Sequence, residues 1–237
     1  MGFARLLAMV ALLSCAPGPR PDDAYDAARE RMVAQQIEAR DVHDPRTLNA
    51  MRRVPRHLFV PAGSEAEAYE DHPLPIGHGQ TISQPYIVGF MTQAMALHGG
   101  ETVLEVGTGS GYQSAVLSEI AAHVYTIEIV APLAAEAELR LKQLGYANVS
   151  VRAGDGYAGW PEKAPFDAIV VTAAAPRVPE PLEQQLKDGG RLVIPLGEDL
   201  QELVVLTRRG ASFDEKRILP VRFVPMTGAV RKKPGQP

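Results

Sequence analysis

"LEVGTGSGY", residues 104–112, is the stretch on which the fold turns. An apolar run, TVLEV (102–106), stops at the alternate glycines Gly107, Gly109 and Gly111, and a helix-like run opens directly after them. Glycine lets a backbone turn sharply and approach a ligand that a side chain would hold off. A strand, a glycine-rich turn and a helix in this order form the ligand-binding corner of a parallel α/β sheet. The spacing departs from the dinucleotide fingerprint. That pattern requires a third glycine where this chain has Tyr112, so the motif here is G-x-G-x-G. Glu105, just ahead of Gly107, departs further. A carboxylate there would repel a pyrophosphate and suits a ligand carrying positive charge.

The chain downstream keeps the same rhythm. Strand candidates VYTIE (124–128), VSVRA (149–153), FDAIVVTA (166–173) and GRLVIPLG (190–197) alternate with helix candidates at 111–121, 132–144 and 179–187. Short loops between them imply right-handed crossovers and a parallel sheet covered on both faces. After Gly197 the helices stop, and LVVLTRRG and RILPVRFVP read as two strands joined by a turn. The expected fold is α/β, a doubly wound, mostly parallel, Rossmann-like sheet with a helical N-terminal extension and a C-terminal antiparallel strand pair. In that extension Ala27, Ala28, Met32, Val33 and Ile37 fit a helix over 23–40, Pro45 opens a short second helix, and 85–97 forms a third. HLFV, bracketed by Pro55 and Pro61, reads as extended.

Two more carboxylates fall at the ends of strand candidates. Glu128 closes the second strand 17 residues after Gly111, where an acidic residue can accept both hydroxyls of a ribose. Asp155, in AGDGY after the third strand, is placed to accept an adenine amino group. Open α/β sheets bind ligands at the carboxyl ends of their strands. A nucleoside with positive charge and no phosphate describes S-adenosyl-L-methionine, with its sulfonium and ammonium groups. The expected cofactor site is Glu105, Gly107, Thr108, Gly109, Gly111, Glu128, Asp155 and Gly156. S-adenosyl-L-homocysteine would be the product.

Composition narrows the alternatives. A length of 237 residues suits one domain with a small appendage. A formal charge of -4 argues against a dedicated nucleic-acid binder, and no nucleic-acid partner is expected. The single cysteine excludes an internal disulfide, and the histidines lack metal-ligand spacing, so no metal is expected. The opening segment has Arg5, an apolar run over 6–13, and then Ser14-Cys15. This reads as a signal-peptide core ending in a lipobox-like LLSC, with Cys15 a candidate lipid anchor, or else as a start assigned too far upstream. The chain then divides into a leader and linker (1–22), a helical substrate-side region (23–98), a cofactor-binding domain (99–229) and a basic tail (230–237).

Further motifs carry a resemblance. VPRHLFVP, DHPLPIGHGQTISQPYIV, VLEVGTGSGYQSAVLS, GDGYAGWPEKAPFDAIVVTAAAP and VRFVPM, in this order, resemble the protein-L-isoaspartate(D-aspartate) O-methyltransferase family of class I methyltransferases. The resemblance runs over about residues 25–227, and PIGHGQTISQP is its most specific part. Gly89 stands where alanine is more usual in that family, and the leader has no counterpart in it. The resemblance implies methyl transfer from S-adenosyl-L-methionine to the free α-carboxylate of isoaspartyl residues, or to D-aspartyl β-carboxylates. Isoaspartyl-containing proteins and peptides would be the partners of a monomeric enzyme. Cytoplasmic location is the family norm, and a working leader would place the enzyme at the envelope. A class I methyltransferase for small molecules and a non-catalytic envelope lipoprotein are the rival readings.

GHGQTISQPYI (77–87) leaves three roles for Ser83: nucleophile, helix cap or substrate grip. TISQP is no G-x-S-x-G elbow, and no acidic residue nearby completes a capping box. A terminal-type carboxylate with a pKa of about 3.5 is already a nucleophile at neutral pH and needs only orientation. Ser83 and Thr81 are therefore expected as catalytic hydrogen-bond donors to the acceptor, and the resemblance puts the active-site serine at Ser83. Ile82, Gln84 and Val224 are expected in substrate contact, and Arg222 and Phe223 are placed by resemblance along the peptide groove.

Overall fold

The computed structural model describes residues 25–231; the leader with Cys15, and the tail beyond Arg231, lie outside the described residues. Helix α1 (Asp26–Arg31) runs straight into a π-helical stretch, Met32–Glu38, whose Met32, Val33 and Ile37 are buried. Helix α2 (Pro45–Arg53) starts with Pro45 at its first position, and the Asp44 carboxylate accepts the Thr47 amide at 2.9 Å. HLFV is not extended. Arg56–Phe59 forms a 3₁₀ turn, closed by Leu58 N donating to Pro55 O at 2.9 Å. The flanking prolines, which read as marks of an extended run, are equally compatible with this single tight turn.

An element absent from the sequence reading follows. Strands β1 (Leu74–Gly77) and β2 (Gln80–Ile82) form a small antiparallel hairpin. Its turn places Gly77, His78 and Gly79 in the left-handed region, with φ of 87°, 51° and 70°. Glycine at two of the three places lowers the strain of that turn. Helix α3 (Pro85–Ala94) begins three residues after β2 ends.

Seven strands make the main sheet: β3 (Thr102–Val106), β4 (His123–Glu128), β5 (Val149–Ala153), β6 (Phe166–Val171), β7 (Leu186–Leu196), β8 (Gln201–Arg209) and β9 (Ser212–Val221). Helices α4 (Tyr112–Ser118), α5 (Ala131–Gln143) and α6 (Glu180–Gln184) connect its parallel part. The order is β5-β4-β3-β6-β7-β8-β9; the first five strands are parallel, and β8 and β9 join antiparallel. This is the expected fold class. Helix α6 is shorter than the 179–187 expected, because Leu186 already pairs with Phe166 and LKDGG enters β7. RFVP (222–225) has left β9 and crosses the sheet's carboxyl end, where Ala174 N donates to Val224 O at 2.9 Å and Met226 N to Ala174 O at 2.7 Å.

The central strands alternate between two cores. Val103 belongs to the core shared with the N-terminal helices, and Leu104 and Val106 to the one on the opposite face. The N-terminal extension therefore shares one core with the sheet, and no break in packing falls near residue 98. The order in which strands are added reverses at β3, whose neighbours are β4 on one side and β6 on the other. Such a switch point opens a crevice beyond the strand ends.

Candidate active site

The glycine turn fills one edge of this crevice. Gly107 has φ of 103°, and a Cβ there would lie 2.3 Å from Thr172 Oγ1. Its carbonyl accepts the Thr172 hydroxyl at 2.6 Å, so the end of β6 fixes the loop after β3. Gly107 N donates to Ile127 O at 2.8 Å, pinning the same loop to β4. Gly109 N donates to Glu128 Oε2 at 2.8 Å, and Val130 N donates to Glu128 Oε1 at 2.9 Å. Each Glu128 oxygen keeps a further acceptor site. Glu128 lines a cavity of about 610 Å³ walled by Val106, Ile127, Ile129 and Met226 and roofed by Gln80 and Thr81 of the hairpin. Among the described residues no lysine, arginine or histidine lines it. Gly156 forms part of the wall, and a Cβ there would lie 2.3 Å from Val106 Cγ1.

Four expected contacts stand elsewhere. Glu105 does not reach the cavity. The two-residue alternation of β3 turns it to the face of Val103, beneath α4, where it is fully buried and accepts the Ser114 hydroxyl at Oε2. Its Oε1 has no hydrogen-bond partner among the described residues, and burial pushes the carboxyl up to about 8. Asp155 is held as a local strut. Oδ1 accepts Tyr157 N at 2.9 Å and Oδ2 accepts Ala229 N at 2.7 Å, which ties the C-terminal turn to β5, while neighbouring Gly156 does the lining. Gly111 has φ of 89° and faces α5, where an added Cβ would press on Leu141 at 3.2 Å, so a left-handed backbone and packing, not ligand access, favour glycine there. Thr108 is buried, its hydroxyl bonded to that of Thr126 at 2.7 Å, and it borders a narrow third cavity.

A second, wider cleft of about 1330 Å³ lies beside the first, lined by Pro73, Ser83, Gln84, Arg222 and Phe223 among others. Thr81, Thr172 and Val224 line both clefts and mark where they meet. Thr81 and Ser83 have no hydrogen-bond partner among the described residues, so their hydroxyls are open to a ligand. The capping role for Ser83 falls away, because Gln84 is the N-cap of α3 and no side chain caps it locally. Ile82 is buried beneath them and borders the narrow cavity that runs from Ser83 to Gly107. His72 and His78, flanking PLPIG, gather no third ligand; among the described residues no cluster of metal-ligating side chains exists.

Sequence reasoning missed Thr172, which borders all three cavities, and the wall formed by Pro225, Met226 and Thr227. Thr172 follows the apolar end of β6, so the strand-end rule that selected Glu128 would also have found it. The crossing segment gave no such signal, because it reaches the site only by leaving β9.

The sheet, the glycine loop and the carboxylate at the end of β4 define a class I, Rossmann-like methyltransferase. The sequence pattern of the protein-L-isoaspartate(D-aspartate) O-methyltransferase family matches residues 27–231, and the chain belongs to that family. It is 56% identical over 214 residues to protein-L-isoaspartate O-methyltransferase 2 of Shewanella sediminis, covering 90% of this chain and 88% of that protein. With the Opitutus terrae protein-L-isoaspartate O-methyltransferase it shares 57% over 217 residues, covering 89% of this chain and 92% of that one. Among solved structures, a protein-L-isoaspartate O-methyltransferase superposes with a TM-score of 0.79 at 29% identity, over 85% of this chain and 67% of the other. A Plasmodium falciparum beta-aspartate methyltransferase in complex with S-adenosyl-L-homocysteine superposes at 0.74 with 26% identity, over 87% of this chain and 99% of that one.

Proposed function

We propose that the protein repairs damaged polypeptides by methylating the free α-carboxylate of L-isoaspartyl residues and the β-carboxylate of D-aspartyl residues. The observation that carries this reading is the meeting of two clefts at Thr81, Thr172 and Val224, one with a carboxylate and no cation, the other with unpaired hydroxyls. The first fits S-adenosyl-L-methionine. Glu128 can accept ribose hydroxyls, Gly107 and Gly156 leave room that a Cβ would fill, and the apolar walls suit a purine. When bound, S-adenosyl-L-methionine supplies an electrophilic methyl group, which the acceptor oxygen takes while the carbon–sulfur electron pair stays on sulfur.

The chain's own work is alignment. Ser83 and Thr81 donate hydrogen bonds to the acceptor carboxylate and aim one oxygen at the junction of the clefts. Neutral donors orient an anion without the deactivation that an ion pair with arginine would bring. No residue takes or gives a proton, since the acceptor arrives ionised. Orientation of this kind lowers a barrier by several kcal/mol. Ile82 supports the two hydroxyls from beneath, and Gln84, Val224, Arg222 and Phe223 border the polypeptide around the damaged residue. Glu105 and Asp155 serve the donor site indirectly, by holding α4 and the loop after β5.

The test is incubation with tritiated S-adenosyl-L-methionine and an isoaspartyl peptide beside its aspartyl twin. Base-labile methyl ester on the first peptide alone supports the reading, and equal labelling of both, or of neither, overturns it. The family assignment lends nothing to the small-molecule alternative. We further propose a monomer, checked by light scattering, and a lipid on Cys15, a reading of the sequence alone, checked by palmitate-analogue labelling with and without Cys15→Ser.

A further inference from the structure

The hairpin that carries the acceptor-side hydroxyls is too small to hold itself. Its strands have four and three residues, with a register irregularity between Pro75 and Gly77. An isolated two-stranded ribbon is marginally stable at best. Helix α3, which follows it, opens with Gln84 as N-cap and no local side-chain cap. One residue upstream of the hairpin answers both needs.

Asp71 lies three residues before β1. Its Oδ2 accepts Gln84 Nε2 at 2.8 Å, and its Oδ1 accepts the Tyr86 amide at 3.3 Å. Arg40 Nη1 reaches Oδ2 at 3.1 Å from the end of the first helical segment. The Arg40 guanidinium also stacks 3.2 Å from the Tyr86 ring centre, and the Tyr86 hydroxyl donates to Asp41 Oδ1 at 2.6 Å. A single carboxylate thus joins the chain entering the hairpin to the chain leaving it, on the far side of Ser83. It also supplies the capping acceptor that the local sequence lacks, at a helix end where negative charge is favourable. Asp71 itself does not line the acceptor cleft, whereas Gln84 and Ser83 do.

We propose that Asp71 is a positioning residue for methyl transfer, fixing Thr81 and Ser83 at the acceptor cleft through its bonds to Gln84 and Tyr86. The proposal rests on the acceptor role of those hydroxyls. The test compares wild type with Asp71→Ala, Asp71→Glu, Gln84→Ala and the double variant Asp71→Ala/Gln84→Ala. Asp71→Ala is expected to lower kcat/KM for an isoaspartyl peptide by about 10- to 100-fold, the scale of a misplacement near 1 Å. The dissociation constant of S-adenosyl-L-homocysteine is expected to rise by less than about tenfold, because Gln80 and Thr81 only roof the donor cleft while its floor at Gly107, Gly109 and Glu128 is pinned by β4 and Thr172. Asp71→Glu should recover part of the rate, and Gln84→Ala should lose less in the Asp71→Ala background than in wild type, the remainder being its own contact with the polypeptide.

Amide hydrogen exchange gives a readout independent of activity, with faster exchange over 80–86 in Asp71→Ala and no change at the glycine loop. Wild-type kcat/KM in Asp71→Ala, or unchanged exchange over 80–86, would overturn the proposal. A parallel loss of homocysteine-product binding and melting temperature would overturn it too, as a general packing role. If wild type fails on the isoaspartyl peptide, the proposed function falls, and exchange still decides whether Asp71 holds this segment.

Discussion

The donor and acceptor sides of this site are built from unlike materials. On the side proposed for the donor, both oxygens of the Glu128 carboxylate are held by backbone amides, Oε2 by Gly109 N and Oε1 by Val130 N. Its loop is pinned to strands on both sides, at Ile127 O and by the Thr172 hydroxyl. On the side proposed for the acceptor, Thr81 on the short hairpin and Ser83 just after it have hydroxyls without a partner among the described residues, and side chains hold the segment, with Asp71 at its base. A cofactor common to all turnovers suits a rigid, backbone-built pocket. An acceptor that arrives embedded in varied polypeptides suits a smaller number of side-chain contacts on a surface that can be adjusted.

Variants that break one side and spare the other sharpen this contrast. The largest effect is expected from Gly107→Ala, whose Cβ would meet Thr172 Oγ1 at 2.3 Å in a backbone with φ of 103°. Calorimetry should find binding of S-adenosyl-L-homocysteine weakened by about 100-fold or more, since backbone strain and a clash each cost of order 1–3 kcal/mol. Retained affinity would show that the loop yields, contrary to the rigid-pocket account. Next comes Ser83→Ala. Peptide methylation should fall about 10- to 100-fold, the value of one or two charge-assisted hydrogen bonds, while cofactor affinity stays unchanged. An unaltered methylation rate would remove Ser83 from the chemistry.

A smaller effect tests the support beneath the loop. Burial raises Glu105 to about 8 in the folded protein, above the value for a solvated carboxyl. Between those two values the folded state holds a proton that the unfolded state has lost, so stability falls as pH rises from about 4.5 to about 8. Glu105→Gln should flatten that slope and melt higher than wild type at pH 8, by an amount worth a few kcal/mol at most. Parallel melting curves against pH would contradict the buried placement. The smallest effect is expected at Gly89 inside α3, where an added Cβ would lie 3.0 Å from Ile37 Cγ2. Helix propensity favours Gly89→Ala by about 1 kcal/mol and the tight contact opposes it, so chemical denaturation should move by less than that amount.

Legibility in the sequence followed the same divide. The strands from TVLEV to LVVLTRRG are apolar runs broken by loops, and a sheet buried on both faces leaves that trace plainly. Glu128 was legible because a strand end fixes where its side chain goes. Glu105 was not, since one residue of strand alternation separates the cavity from the underside of α4. HLFV looked the same as a strand or as a tight turn between two prolines. The hairpin was hidden because LPIGHGQTI has few apolar residues to show a period, and Asp71 because its partners lie 13 and 15 residues away. Local pattern reports burial; long-range side-chain bonds leave no period to read.

The division of labour is tested most directly by single-turnover transfer in a Thr81→Val/Ser83→Ala double variant loaded with labelled S-adenosyl-L-methionine and mixed with an isoaspartyl peptide. The account expects loading within a few fold of wild type, because valine keeps the bulk of Thr81 where it borders the donor cleft, and methyl transfer slowed by at least about 100-fold with two orienting donors gone. Transfer at the wild-type rate, or failure to load the cofactor at all, would contradict it.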